Sequence, residues 1–199
     1  MSNRRDEDLL QDAGGGDREA FGVLVERHHR AVMQFVHRFL GDIGRDTAED
    51  LAQDVFLKAW KAASSFEPRA QAITWLLRIA TNTCLNYRRG KRLRRAVSLD
   101  ANTEADIPDR QAGPAAASQA REQADRVRRA IAELPPNQRA AIVLRHFHGL
   151  SYAEISDVLD VSVSAVESLL FRARRTLRVA LAENETAPQV LPGLGAESL

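Results

Sequence analysis

The chain has one cysteine, Cys84, in 199 residues. A lone thiol excludes an internal disulfide and a zinc finger, and it suits a reducing compartment. No apolar run approaches the ~20 residues of a membrane span. The start, MSNRRDEDLLQDAGGGD, lacks the apolar core of a signal peptide, so a soluble, cytoplasmic protein is expected. Strand signals are nearly absent. Neither charge dominates, with 28 basic residues against 27 acidic and a net charge of +1, so bulk electrostatics alone would not hold this chain on a polyanion. Basic residues must then be concentrated locally. Catalytic patterns are also missing. Gly14-Gly15-Gly16 has no following Lys-Ser/Thr, no nucleophile motif appears, and His28, His29, His37, His146 and His148 show no metal-ligand spacing. No catalytic residue, metal or cofactor is expected.

What is present is helical periodicity, and its clearest stretch is LSYAEISDVLDVSVSAVESLLFRARRTLRVAL, residues 150–181. Ser151 with Glu154 makes a capping box. Ile155, Val158 and Leu159 give a short helix its apolar stripe. Asp160 tolerates the left-handed conformation a tight turn needs, and Ser162 is an N-cap, with Ser164 a rival start. In the next helix Val163, Val166, Leu170, Ala173 and Leu177 recur at core spacing. Ser168, Arg172, Arg175 and Arg178 lie elsewhere on the cylinder, free for phosphates and base edges. A solvated helical hairpin would show some of these signs. Capping, a short turn and arginine bias together point to a helix-turn-helix, whose second helix enters the major groove.

Two helical blocks are expected. A polar, flexible tail covers residues 1–16. A first block, 17–95, opens at an Asp17 cap with a helix carrying Phe21, Leu24, Val25, Val32, Phe35, Val36 and Phe39 up to Gly41. A second helix starts near Asp46 or Thr47, and a third spans about Ala70 to Arg89, ended by Gly90. Residues 96–120 hold two prolines and no sustained apolar period, reading as a flexible linker made acidic by Asp100, Glu104, Asp106 and Asp109. A second block, 121–183, contains a helix to Leu134, another after Pro135-Pro136, and the helix-turn-helix. Residues 184–199 read as a disordered tail. The fold class is all-α, two small helical domains joined by a flexible linker.

Two faces of the first block carry chemistry. On the third helix Ile73, Leu76, Leu77, Ala80 and Cys84 face the core, while Trp75, Arg78, Asn82, Asn86 and Arg89 share another face. An aromatic plane, guanidinium groups and amides suit nucleic acid: aromatics stack on unpaired bases, Arg holds phosphate and Asn reads base edges. The helix runs into RRGKRLRR, residues 88–95. On the second helix Leu51, Val55, Ala59 and Ala62 face the core. Phe56 and Trp60 sit one turn apart beside Asp50, Gln53 and Asp54, which suits docking of a basic helical partner unless the aromatics merely widen the core stripe.

These segments together resemble RNA polymerase sigma factors of the sigma-70 family, specifically the extracytoplasmic-function (ECF) group. The resemblance rests on AFGVLVERH, AEDLAQDVFLKAWKA and TWLLRIATNTCLNYRR in the first block, and on LPPNQRAAIVLRHFHGLSYAEISDVL and SAVESLLFRARRTLR in the second. It implies a non-catalytic subunit that binds core polymerase and directs initiation at particular promoters. Asp50, Gln53, Asp54, Phe56 and Trp60 would contact the clamp coiled coil of the largest subunit, and the second-largest subunit's flap would be a further contact. Trp75, Arg78, Asn82, Asn86, Arg88 and Arg89, with the loop 64–71, would recognise the −10 element and capture a flipped base. Ser164, Glu167, Ser168, Phe171, Arg172 and Arg175 would face the −35 element, and the acidic linker would thread towards the RNA path. An anti-sigma factor is an expected partner. Glu167 and Leu169 depart from relatives with Lys or Arg there; an acid accepts a hydrogen bond from cytosine but repels phosphate. A stand-alone helix-turn-helix regulator leaves the first block unexplained. A mimic that sequesters an anti-sigma factor is the other alternative.

Overall fold

In the computed structural model, residues 4–41, 43–68, 71–97 and 115–182 are described, and every regular element among them is helical. The first block comprises α1 (Asp6–Gly14), α2 (Arg18–Leu40), α3 (Arg45–Ala62), a short 3-10 turn (Ala63–Ser65) and α4 (Ala72–Val97). The second comprises α5 (Ala115–Glu133), α6 (Pro136–His148), α7 (Tyr152–Leu159) and α8 (Val163–Ala182).

Local chemistry sets most of the boundaries. The Asp17 carboxylate accepts from the backbone N–H of Glu19 and Ala20 at 2.9 and 3.0 Å, satisfying donors that a helix start leaves orphaned. Gly41, at φ +75°, ends α2 in a conformation that L side chains rarely adopt. Pro136 opens α6, where its missing N–H costs nothing.

The apolar faces converge on one contiguous cluster. Val32, Phe35, Val36 and Phe39 of α2 meet Leu51, Val55 and Ala59 of α3 and Leu76, Leu77, Ala80 and Cys84 of α4. The cluster continues through Ile131, Ile142, Leu144, Ile155, Val166 and Leu170. The two domains therefore pack against each other. Phe35 lies 5.8 Å from the His148 ring, and the Arg38 guanidinium sits 4.2 Å over Phe147. Fully buried Arg139 of α6 donates to the carbonyl of Phe39 at the end of α2 (2.8 Å) and to those of Leu134 (2.9 Å) and Ala132. A guanidinium at two helix C-termini meets carbonyl dipoles of the right sign, while its Nε has no hydrogen-bond partner.

The structure corrects several expectations. The supposed tail holds α1, whose Leu9, Leu10 and Ala13 are buried. Burying two leucines is worth about 1.5–3 kcal/mol each, enough to recruit a short polar helix. Gly90 does not stop α4, which continues to Val97, and α5 begins at Ala115, inside the expected linker. The linker acids Asp100, Glu104, Asp106 and Asp109, and the tail 184–199, lie outside the described residues. Val163, placed in the core by its spacing, is 43% exposed in the first turn of α8, ahead of the buried stripe from Val166.

Candidate nucleic-acid interfaces

The helix-turn-helix is assembled from its caps. Ser151 Oγ accepts from the Glu154 backbone N–H at 3.3 Å, while Glu154 accepts from the Ser151 N–H at 2.8 Å, completing the capping box. Hydrogen bonds from the Ser151 side chain and backbone hold the Glu154 carboxyl below its ordinary value. Asp160 takes the left-handed conformation at φ 54°. The Ser156 hydroxyl donates to the Val161 carbonyl at 2.7 Å, tying the turn together. Ser162 then caps α8, its Oγ accepting from Ala165 N–H at 3.2 Å. Arg174 donates to the Tyr152 hydroxyl at 3.2 Å, a contact that fixes α8 beside α7.

With Val166, Leu170, Ala173 and Leu177 buried, α8 turns the other side outward. Ser164, Glu167, Ser168, Phe171, Arg172 and Arg175 are all exposed, Phe171 at 68%. Glu167, Ser168, Phe171 and Arg172 line one shallow concavity; Arg172 and Arg175 line another with Gln138, Thr176, Val179 and Ala180. Every one of the sequence-predicted α8 residues is thus on the surface.

The α4 surface is built differently. Leu76, Leu77, Ala80 and Cys84 anchor the helix from beneath. Arg78, Asn82, Asn86 and Arg89 are exposed along one stripe, while Trp75 is half-buried. Its ring meets Phe66 edge-on, with centroids 5.6 Å apart and planes at 72°. Phe66 is itself buried against Leu9, Leu10 and Ala72, so the indole is braced from behind. Arg88 is half-buried beside this stripe; burial lowers its pKa, and the Glu133 carboxylate of α5 opposes that shift. Loop residues Arg69 and Ala70 lie outside the described residues.

The α3 face divides. Asp50 and Gln53 are exposed and Asp54 half-buried, its carboxylate 2.7 Å from Lys58 Nζ. Phe56 is buried, its ring stacked near His29, and half-buried Trp60 meets Phe21 edge-on at 5.2 Å. Phe56 therefore widens the core, and the expected docking role is corrected for it. Spacing reasoning missed Leu57, which is 59% exposed on the same outer stripe as Gln53 and Asp54. The signal was available: an apolar residue three and four positions from those two cannot share the Leu51–Val55–Ala59 face.

Cys84 is buried, and burial pushes its thiol up to about 12 with Lys58 opposing, which favours the protonated form. His28 bonds Asp6 at 2.7 Å, and among the described residues no group of His, Cys, Asp and Glu could hold a metal ion. Nor is any helix among them long and apolar enough to cross a membrane.

Comparison with known proteins agrees with this geometry. Residues 24–94 match the family model for sigma-70 region 2, and residues 124–177 match that for sigma-70, region 4. The chain is 32% identical over 192 residues to RNA polymerase sigma-H factor of Pseudomonas aeruginosa, covering 91% of this chain and 96% of that one. It is 35% identical over 182 residues to the ECF RNA polymerase sigma-E factor of Escherichia coli K12, covering 86% and 92%. Among solved structures, CnrH in complex with the cytosolic domain of CnrY aligns with a TM-score of 0.67 at 31% identity, covering 90% of this chain and 99% of that one. The sigma factor RpoE of Bartonella quintana, in complex with the anti-sigma factor NepR, aligns at 0.65 and 25%, covering 83% and 98%. The chain belongs to the sigma-70 family of RNA polymerase sigma factors, in its extracytoplasmic-function group.

Proposed function

We propose that the protein is a dissociable, non-catalytic specificity subunit that docks on core RNA polymerase and reads two promoter elements with different chemistry. The carrying observation is the presence, in one chain, of two outward helix faces with unlike side chains: braced Trp75 with Arg78, Asn82, Asn86 and Arg89 on α4, and open Glu167, Ser168, Phe171, Arg172 and Arg175 on α8.

The α4 face suits separated strands. Extruding a base from a duplex costs a few kcal/mol, and stacking on an aromatic returns about 1–3 kcal/mol per base. Arg78 and Arg89 can take the phosphates on either side, and Asn82 and Asn86 have donors and acceptors for base edges. The α8 face suits intact duplex. Phe171 offers an apolar ring to a thymine methyl, Glu167 accepts from a cytosine amine, and Arg172 and Arg175 reach guanine edges or phosphate. Ser164 sits in the first turn, the end a recognition helix points at the bases.

Core polymerase, through its clamp coiled coil, is the partner for the outer stripe of α3, where Asp50, Gln53 and Asp54 surround exposed Leu57. An exposed leucine beside the Asp50 and Asp54 carboxylates fits a basic amphipathic helix, which would compete with Lys58 for Asp54. The flap of the second-largest subunit is the partner of the second domain. Elements at −10 and −35 are about 25 base pairs apart by their names, roughly 85 Å at 3.4 Å per pair. A packed 199-residue chain has a radius of gyration of roughly 16 Å. The packed domains cannot reach both, so the Arg139–Phe39 and Arg38–Phe147 contacts must part on the polymerase. An anti-sigma factor that prefers the packed arrangement would hold the protein off core, by differential affinity for the two states. A subunit with this role works in the cytoplasm, where polymerase and promoter DNA are.

In-vitro transcription of a promoter library by core polymerase, with and without the protein, tests the proposal. New defined start sites that vanish with Trp75→Ala plus Arg78→Ala support it. Binding to core without any transcript would make the protein a mimic.

A further inference from the structure

Helix α1 touches both ends of the connection between α3 and α4. Near its C-terminus, Gly14 lies so close to the 3-10 turn that a Cβ there would sit 2.9 Å from the Ala63 carbonyl oxygen and 3.1 Å from Ser64 Cα. Near its N-terminus, the Glu7 carboxylate accepts a 3.3 Å hydrogen bond from the backbone N–H of Ala72, the first residue of α4. Between these points Leu9 and Leu10 are buried with Phe66 and Ala72, and Trp75 packs on the same cluster. The helix is itself fastened to α2, where Asp6 accepts from Arg27 at 2.5 Å and pairs with His28 at 2.7 Å. Burial pushes the Asp6 carboxyl up, but the hydrogen bonds from Arg27 and His28 outweigh it and hold it below its ordinary value.

A nine-residue helix does not persist alone, so α1 exists through these contacts. They converge on the Ala63–Ala72 connection and on Trp75. The large apolar cluster of α2, α3 and α4 forms without Leu9, Leu10 or Ala13. An acid beside a nucleic-acid surface is a poor phosphate contact, whereas Glu7 has a backbone donor to satisfy.

We infer that α1 is a positioning element for −10 recognition: it fixes the two ends of the Ala63–Ala72 connection, and with them the Phe66–Trp75 edge that receives an unstacked base. The inference rests on Trp75 and Arg78 being the −10 surface. Glu7 and Gly14 are its positioning residues and touch no DNA. Glu7 sets where α4 begins, and Gly14 sets how closely the 3-10 turn lies against α1.

The test uses holoenzyme reconstituted with full-length chain on promoters recovered by the wild-type protein, randomised either at −10 or at −35. Glu7→Ala and Gly14→Leu should each flatten base preference at −10 about three- to tenfold, the worth of roughly one hydrogen bond. Preference at −35 and affinity for core should stay within about twofold, since α1 is anchored on α2, the 3-10 turn and the start of α4 rather than on the outer stripe of α3 or on α8. Glu7→Gln, which keeps an acceptor oxygen, should restore most of the −10 preference. Unchanged −10 preference in both Glu7→Ala and Gly14→Leu overturns the inference, as does an equal loss at −10 and −35. A Trp75→Ala control separates the two layers. If it also leaves −10 preference intact, the −10 assignment itself fails; if it abolishes that preference while Glu7→Ala is silent, only the role of α1 fails.

Discussion

The faces of α4 and α8 are both arginine-rich and both built on a helix anchored by a buried leucine stripe, yet they are not interchangeable. Trp75 is half-buried, with Phe66 against one edge and α1 behind it. Phe171 stands clear of the protein with 68% of its surface exposed. A braced aromatic is pre-organised for a guest that must first be pulled from its own stack, since the protein spends little ordering the ring. An open aromatic between Glu167, Ser168 and Arg172 fits a groove whose shape already exists. Arginine content alone would have assigned both helices the same task.

The contrast can be broken by substitution. Trp75→Ala with Arg78→Ala removes the stacking plane and a phosphate contact together. It should cut transcription from a cognate promoter by about 100-fold, with folding unchanged by circular dichroism. Phe171→Ala with Arg172→Ala should cost about tenfold, read as weaker binding to a −35 duplex, because one good base contact is worth about 1–3 kcal/mol.

Acid should act on the packing between the two domains. The His148 imidazole is pushed down to about 4, first by burial and then by Arg38. Its folded value lies below its unfolded one of about 6.5, so the unfolded state binds more protons between those limits. The stability that neutral His148 contributes is complete above about pH 6.5 and is lost as pH falls towards about 4. Discounted for partial exposure, the loss is on the order of 1–2 kcal/mol. Urea midpoints across that range should fall for the wild type and flatten in His148→Phe.

The smallest effect belongs to Phe147→Ala, which removes the ring beneath Arg38 and about 0.5–1 kcal/mol of cation–π attraction. Dyes on the two domains should report a few-fold larger population of separated domains, with core binding correspondingly faster.

What could be read from the sequence was local. Asp17, Ser151 with Glu154, Asp160 and Ser162 each announce a cap or turn through their own side chains, and the structure places each in that role. What could not be read depends on partners distant in sequence. Leu9, Leu10 and Ala13 are too few to mark a helix until Phe66 and Ala72 come to meet them. Gly90 looked like a terminator, but a mid-helix glycine costs only about 1 kcal/mol against alanine, and α4 continues past it. Phe56 satisfied the pattern for the core and for a docking face equally, and its burial in the cluster that α2 and α4 complete decides the matter. The bond from Arg139 to the Phe39 carbonyl spans 100 residues and leaves no trace in periodicity. At the interfaces the residue types were legible, but the difference between a braced and an open aromatic was not, because it lies in Phe66 and α1 rather than in the helices themselves.

The central claim is a division of labour, and one binding experiment addresses it. Holoenzyme would be titrated with a single-stranded oligonucleotide carrying the −10 element and, separately, with a duplex carrying only the −35 element. The Trp75→Ala/Arg78→Ala variant should lose about tenfold or more on the single strand and stay within about twofold on the duplex, with Phe171→Ala/Arg172→Ala doing the reverse. Equal losses on both probes from either variant would contradict the account.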